Sequence, residues 1–335
     1  MSQTIAVLGA GSWGTALAKS IAERGNTVRL WARRADLADA IRDSRRNQSY
    51  LPGIALPPTL SATNDLGAAL SGADIALFVV PSHGLREVLH DSRLLLPAAG
   101  PILCATKGIE NESLMLMSEV FRDVLPDVAP GRFCSLGGPS FAMEVARGLP
   151  TAFSIAATDR EMALAAQALI ANDRMRAYTT DDVVGVELGG AVKNVIAIAA
   201  GASDGLGFGH NARAGLITRG VAEIARLAAK RGANPLTIAG LSGMGDLVLT
   251  CTGDLSRNRR VGMELGAGKS LPDILGGMTM VAEGVKTARS TYDLAAREGV
   301  EMPITTEVYR VLYEGKSPSD AVQSLLRREP RSERD

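Results

Sequence analysis

Thr4-Ile5-Ala6-Val7-Leu8-Gly9-Ala10-Gly11-Ser12-Trp13-Gly14-Thr15-Ala16-Leu17-Ala18 opens with five apolar or β-favouring residues and passes through glycines spaced G-x-G-x-x-G. Residues 4–8 read as a strand and residues 15–24 as a helix that Gly25-Asn26 stops. Residues 27–31, Thr-Val-Arg-Leu-Trp, read as a second strand. The glycines therefore sit between strand and helix at the head of a βαβ unit about 30 residues long, the context that gives this weak pattern meaning. Gly9 permits a tight turn, Gly11 lets backbone approach a pyrophosphate, and Gly14 lets the helix lie close to the strand. The unpaired N–H groups of the helix N-terminus add partial positive charge for phosphates.

Working outward, residues 74–80 are nearly continuous apolar, as in a strand covered on both faces. Further strands are expected at 101–106, 133–136 and 151–156, and their alternation with helical patterns predicts an α/β Rossmann-type domain with a parallel-rich sheet. Beyond about residue 180 the β-rich runs nearly vanish. Helices are expected at 183–200, 213–231, 234–240, 257–265, 284–298 and 304–314, an all-α C-terminal domain. The domains are placed at 1–181 and 182–326, with a charged, disordered tail at 327–335. A length of 335 residues suits two domains.

Composition narrows the function. Hydrophobic residues make up 46% of the chain and charged residues 21%, enough apolar material to exclude wholesale disorder. Thirty-six basic residues balance 36 acidic ones, so net charge supports neither a nucleic-acid partner nor an anionic membrane surface. Three cysteines make no disulfide framework and have no zinc spacing, which fits a cytoplasmic setting. The apolar start is broken by glycines and lacks a basic leader, so neither a signal peptide nor a membrane span is expected.

The second strand runs into Ala32-Arg33-Arg34 where an NAD-binding chain usually carries a carboxylate for the ribose 2′-hydroxyl. Two arginines suit a 2′-phosphate, so NADP(H) is the expected cofactor, with NAD(H) also accommodated. Either arginine could instead be solvated surface charge. In the second half, Lys193 is the only charge between Glu187 and Asp204 in an otherwise apolar helix. An ammonium held there should have a lowered pKa suited to proton donation near neutrality, unless it snorkels at a helix edge. Lys107 follows a strand's carboxyl end, and Gly138-Pro139-Ser140 follows another. Asp246 lies in the glycine-rich turn Gly243-Met244-Gly245-Asp246-Leu247. Taken singly, Lys107 and Asp246 read more simply as surface charges. Ser256-Arg257-Asn258-Arg259-Arg260 could grip a phosphate dianion or form a solvated helix face. Of the histidines, His83 follows a strand end where it could approach a cofactor; His90 and His210 read as surface residues. No metal or Ser-His-Asp constellation emerges.

Together these stretches resemble the bacterial NAD(P)-dependent glycerol-3-phosphate dehydrogenases over almost the whole chain. The likeness is carried by residues 9–18, Ala105-Thr106-Lys107-Gly108, Gly138-Pro139-Ser140-Phe141-Ala142, and Leu188-Gly189-Gly190-Ala191-Val192-Lys193-Asn194. It continues through Gly205-Leu206-Gly207-Phe208-Gly209, Gly245-Asp246-Leu247, Ser256-Arg257-Asn258-Arg259, Val281-Ala282-Glu283-Gly284 and Glu301-Met302-Pro303-Ile304. The resemblance implies an active site in a cleft between the two domains. It also implies reversible reduction of dihydroxyacetone phosphate to sn-glycerol 3-phosphate, supplying glycerophospholipid synthesis. It implies Lys193 as proton donor and acceptor, with Lys107, Gly138, Ser140, Asp246, Ser256, Arg257 and Asn258 lining the substrate. Ser12, Trp13, Arg33, Lys107, Ala142, Arg257, Val281 and Glu283 would touch the cofactor. The apolar helical half leaves room for a homodimer interface. Two alternatives stand beside this reading. A β-hydroxyacid dehydrogenase would carry an asparagine four residues after its lysine, where this chain has Ala197. A non-catalytic NADP(H) sensor would have no use for a lysine–aspartate–arginine set.

Overall fold

Strand β1 (Thr4–Leu8) lies in the middle of a sheet, which is why its side chains from Ile5 to Leu8 are wholly buried. Around it stand β2 (Thr27–Trp31), β3 (Leu60–Thr63), β4 (Ile75–Phe78), β5 (Ile102–Cys104), β6 (Phe133–Gly137), β7 (Thr151–Ala156) and β8 (Met175–Thr180). The eight strands run in the order β3-β2-β1-β4-β5-β6-β7-β8. This is a computed structural model, and it describes residues 2–278, 282–330 and 332.

Every neighbouring pair is parallel except β6 and β7, which run antiparallel with Leu136 opposite Ile155. The link between them carries a helix of only 5 residues, Ala142–Ala146. At about 1.5 Å per residue it recovers roughly half the length of a five-residue strand, so the chain returns from where it stands. The strand order reverses between β1 and β4, and the carboxyl ends of those strands therefore open a crevice.

The glycine turn after β1 is held from several sides. Gly9 has φ +125°, and a Cβ there would lie 2.8 Å from the Val79 carbonyl carbon. A Cβ on Gly14 would lie 1.9 Å from the Gly9 oxygen. Buried Asn47 donates to the Ala10 carbonyl at 2.9 Å and to Thr15 Oγ1 at 2.8 Å, tying the following loop to the turn.

The second domain is built on the helix Val183–Gly205. Asp182 starts it: its Oδ1 accepts from the Gly185 amide at 2.9 Å and its Oδ2 from Asn234 at 2.9 Å. By length and hydropathy this helix could cross a membrane, but 83% of its apolar window is buried, as befits a core helix. It packs against the helix Arg257–Gly266 through backbone. A Cβ on Gly201 would sit 2.0 Å from the Arg259 oxygen, and one on Gly262 would sit 2.0 Å from the Ile198 oxygen. Gly205 and Gly266 repeat this approach one turn on.

Several elements differ from expectation. The first helix begins at Ser12, with Gly11 at its N-cap. Strands β3 and β8 were not anticipated. Asp246 does not sit on an open turn: it heads the helix Asp246–Thr252, after a wide π-type turn at Leu241–Gly245. Of the tail expected to be disordered, residues 331 and 333–335 lie outside the described residues, while Arg328 binds Glu301 at 2.6 Å. The three thiols are buried, and burial pushes each up to about 12, so they are inert core groups.

Candidate active site

The crevice end of the first helix carries no side-chain cap. Its N-cap is Gly11, and the first turn holds no acidic residue. Gly11 has φ −73°, which any residue adopts, and a Cβ there would meet no atom within 4 Å. Neither backbone strain nor packing accounts for glycine at this position. Open space for an anion at a helix N-terminus does, and in this the turn fits a dinucleotide pyrophosphate. Ser12 Oγ donates to the Tyr50 carbonyl at 2.6 Å, and half-buried Trp13 packs against the sheet core. Ala142 opens the short helix after β6. Val281 lies outside the described residues.

On the facing domain, Lys193 occupies the middle of the long helix with 7% of its surface exposed. Its Nζ donates to Asp246 Oδ1 and, at 3.0 Å, to Thr250 Oγ1. Thr250 stands one helical turn after Asp246 and donates to the Asp246 carbonyl at 2.6 Å. The other carboxylate oxygen of Asp246 takes Lys107 Nζ at 2.7 Å. One carboxylate, 1% exposed, is thus shared by two ammonium groups. Lys107 reaches this point from the loop after β5 by lying along Gly190, where a Cβ would come within 3.6 Å of its stem.

Burial drives the Lys193 pKa from 10.5 down to about 8; Asp246 opposes the fall and Lys107 adds to it. Burial likewise raises the Glu283 carboxyl, against the pull of Arg257, Lys107 and Lys193. Arg257 and Glu283 thus share one electrostatic neighbourhood with the two lysines. Gly138, at φ +131°, has room for no Cβ, which would stand 2.8 Å from the Phe153 Cα. Its carbonyl accepts from Lys107 at 3.3 Å and from Ser140 Oγ at 3.1 Å.

The basic stretch 256–260 divides by role. Ser256 Oγ caps the helix Arg257–Gly266 by accepting from the Arg259 amide at 3.2 Å. Arg257 is exposed at its head. Asn258 is largely committed within the protein: Nδ2 donates to Asn194 Oδ1 at 2.9 Å, and Oδ1 accepts from the Gly284 amide at 3.0 Å. One Nδ2 hydrogen is left for a ligand. Arg259 binds Asp204 at 2.8 Å, and Arg260 binds Glu264 at 2.9 Å, so both serve structure. At the end of β2, Arg34 leans toward Asp36, 3.7 Å away on the surface. Arg33 lies near His83 instead. Thr250 and Lys286, which also neighbours His83, were missed. Thr250 would have been found had residues 246–252 been read as a helix, since it stands at i+4 from Asp246.

A phosphate-ready crevice on one domain and a buried, readily deprotonated ammonium on the other are the two halves of hydride-transfer chemistry, which places the molecule among the two-domain dehydrogenases. The models of the NAD-dependent glycerol-3-phosphate dehydrogenase N-terminus and C-terminus match residues 4–163 and 182–323. The chain belongs to that family. It is 53% identical over 327 residues to a glycerol-3-phosphate dehydrogenase (NAD(P)+) of Myxococcus xanthus, covering 98% of each chain. It is 55% identical over 334 residues to that of Geobacter sulfurreducens, covering 100% of each. A crystal structure of glycerol-3-phosphate dehydrogenase from Coxiella burnetii superposes with a TM-score of 0.94 at 43% identity, over 98% of this chain and 99% of that one.

Proposed function

We propose that this chain reduces dihydroxyacetone phosphate reversibly to sn-glycerol 3-phosphate with NADP(H), accepting NAD(H) less well, and so feeds glycerophospholipid synthesis in the cytoplasm. The observation that carries the reading is the single carboxylate of Asp246 held between Lys193 and Lys107. A nicotinamide held in the crevice would supply or take the hydride. The protein's residues do the rest. Arg257 grips the substrate phosphate away from the reacting carbon, and that binding energy orients the ketone. Lys193 gives its Nζ proton to the carbonyl oxygen as negative charge grows there, and Lys107 adds positive charge beside it. Asp246 and Thr250 aim the Lys193 ammonium. In the reverse direction neutral Lys193 takes the hydroxyl proton.

Absorbance at 340 nm tests this directly. Purified chain should consume NADPH only when dihydroxyacetone phosphate is present; no substrate-dependent loss would reject the reading. Oxidation of 3-hydroxyisobutyrate in place of glycerol 3-phosphate would favour a β-hydroxyacid dehydrogenase instead.

The pH profile follows from the lysine. The ammonium is the working form for reduction, so the reductive kcat should fall as pH rises through about 8. Oxidation needs the amine and should rise through the same region. Profiles that move together in both directions would remove Lys193 from the proton transfer. Arg257→Ala should raise the KM for dihydroxyacetone phosphate by about 100-fold, the loss of a charge-assisted phosphate contact, with a smaller effect on kcat. Steady-state kinetics over a wide substrate range checks the split.

A further inference from the structure

Three basic side chains meet at the mouth of the crevice, and none is spent on a partner among the described residues. Arg33 follows β2, His83 is the second residue of the helix Ser82–Ser92 after β4, and Lys286 lies in the first turn of the helix Glu283–Glu298. The first two belong to the sheet domain and the third to the helical domain. Lys286 and Arg33 both act on His83 as nearby positive charges. Gly108 lies between the starts of the two helices: a Cβ there would touch Ser82 Oγ at 2.5 Å and come within 3.8 Å of Thr287 Oγ1. All three side chains are exposed, and none makes a hydrogen bond or ion pair with a described residue. The helix Ser82–Ser92 has no side-chain cap and no acidic residue in its first turn. Most cations at this site have a carboxylate, as Lys107 and Lys193 have Asp246. Like charges gathered without a counter-charge cost free energy unless an anion joins them.

We propose that Arg33, His83 and Lys286 form one cationic seat, built from both domains, for a phosphate of the dinucleotide. The proposal rests on the dinucleotide reading above. It adds two residues to the arginine at the end of β2, one of them from across the cleft. The 2′-phosphate of NADPH is the group expected there, because Arg33 stands where β2 ends and a ribose carboxylate partner is missing. Lys286 is three residues after Glu283, on the same side of the helix that borders the two active-site lysines. Seating the phosphate therefore draws the helical domain onto the nucleotide and sets the helix that carries Glu283.

Titration of wild type, Lys286→Ala, His83→Gln and Lys286→Arg with NADPH and with NADH, followed by nucleotide fluorescence, tests the seat without turnover. All positions are exposed, and unchanged melting temperatures in the absence of nucleotide will show that the variants are folded. Lys286→Ala and His83→Gln should each weaken NADPH about tenfold and leave NADH within about twofold, and Lys286→Arg should restore NADPH. Equal weakening of both nucleotides would keep the seat but assign it to the pyrophosphate. Unchanged binding of both would overturn it. The enzymatic reading fails separately: if wild type binds NADPH and shows these losses, yet never consumes it with dihydroxyacetone phosphate, the seat stands and the reaction does not.

Discussion

Lys193→Met should lower kcat for reduction of dihydroxyacetone phosphate by on the order of 1,000-fold, the middle of the range for losing a positioned proton donor. The KM should change little, because the phosphate grip is proposed for Arg257, on another helix. The fold should survive for a specific reason. Removing one partner of a buried ion pair ordinarily strands the other, at about 3–5 kcal/mol. Here Asp246 keeps Lys107 at 2.7 Å. Methionine matches the lysine stem in volume and carries no charge to desolvate, so the melting temperature should hold or rise. Single-turnover kinetics with calorimetry separates the two effects. A variant that retained kcat within tenfold of wild type would end the assignment of Lys193 as the acid.

Asp246→Asn should be the most damaging change to the site as a whole. It leaves two ammonium groups in one dry place with no anion between them. The expected loss is about 3–5 kcal/mol of stability, the cost of an uncompensated buried charge. Sign and pH window follow from linkage. Lys193 already binds its proton more weakly in the folded chain, about 8, than its ordinary 10.5. The unfolded state holds more protons between those values, so stability contributed by this group rises with pH across that window. Without Asp246 the folded-state pKa drops further, and the rise should begin at lower pH. The deficit of the variant should therefore be larger at pH 6 than at pH 9. The falling limb of the reductive pH profile should move to lower pH as well. Melting curves at the two pH values, read beside the rate profile, test both. A deficit independent of pH would mean that Asp246 acts by shape and not by charge.

How far the sequence could be read depended on burial. Strands β1, β2 and β7 lie at their expected residues: β1 is a nearly continuous apolar run, as an interior strand of a covered sheet should be, and β2 and β7 carry β-branched and aromatic residues between turn signals. The two strands that escaped, β3 and β8, are the two edges of the sheet. Their sequences, Leu-Ser-Ala-Thr and Met-Arg-Ala-Tyr-Thr-Thr, alternate buried and exposed positions over a short span, a weak signal. The helix at 246–252 escaped because Leu-Val-Leu-Thr-Cys-Thr has strand-like composition, and tertiary packing overrode it. At the site, Lys193 stood out because a lone charge in an apolar helix is conspicuous. Its sharing of Asp246 with Lys107 was beyond reach, since the three come from segments separated by 53 residues or more. Asn258 suited a phosphate by type, yet most of its amide fastens its own helix to two others, and composition carries no trace of that.

The close seam of Gly201 and Gly205 against Gly262 and Gly266 has a bearing on selectivity. The helix bearing Lys193, the proposed proton donor, and the helix bearing Arg257 touch main chain to main chain, so no side chain can shim them apart. On the proposed roles of Lys193 and Arg257, the span between carbonyl and phosphoryl ends of an acceptable substrate is a property of the polypeptide's own thickness. A ruler made that way resists retuning. Ketones one carbon longer should have to be accommodated by remodelling loops at the mouth, leaving the two helices as they are.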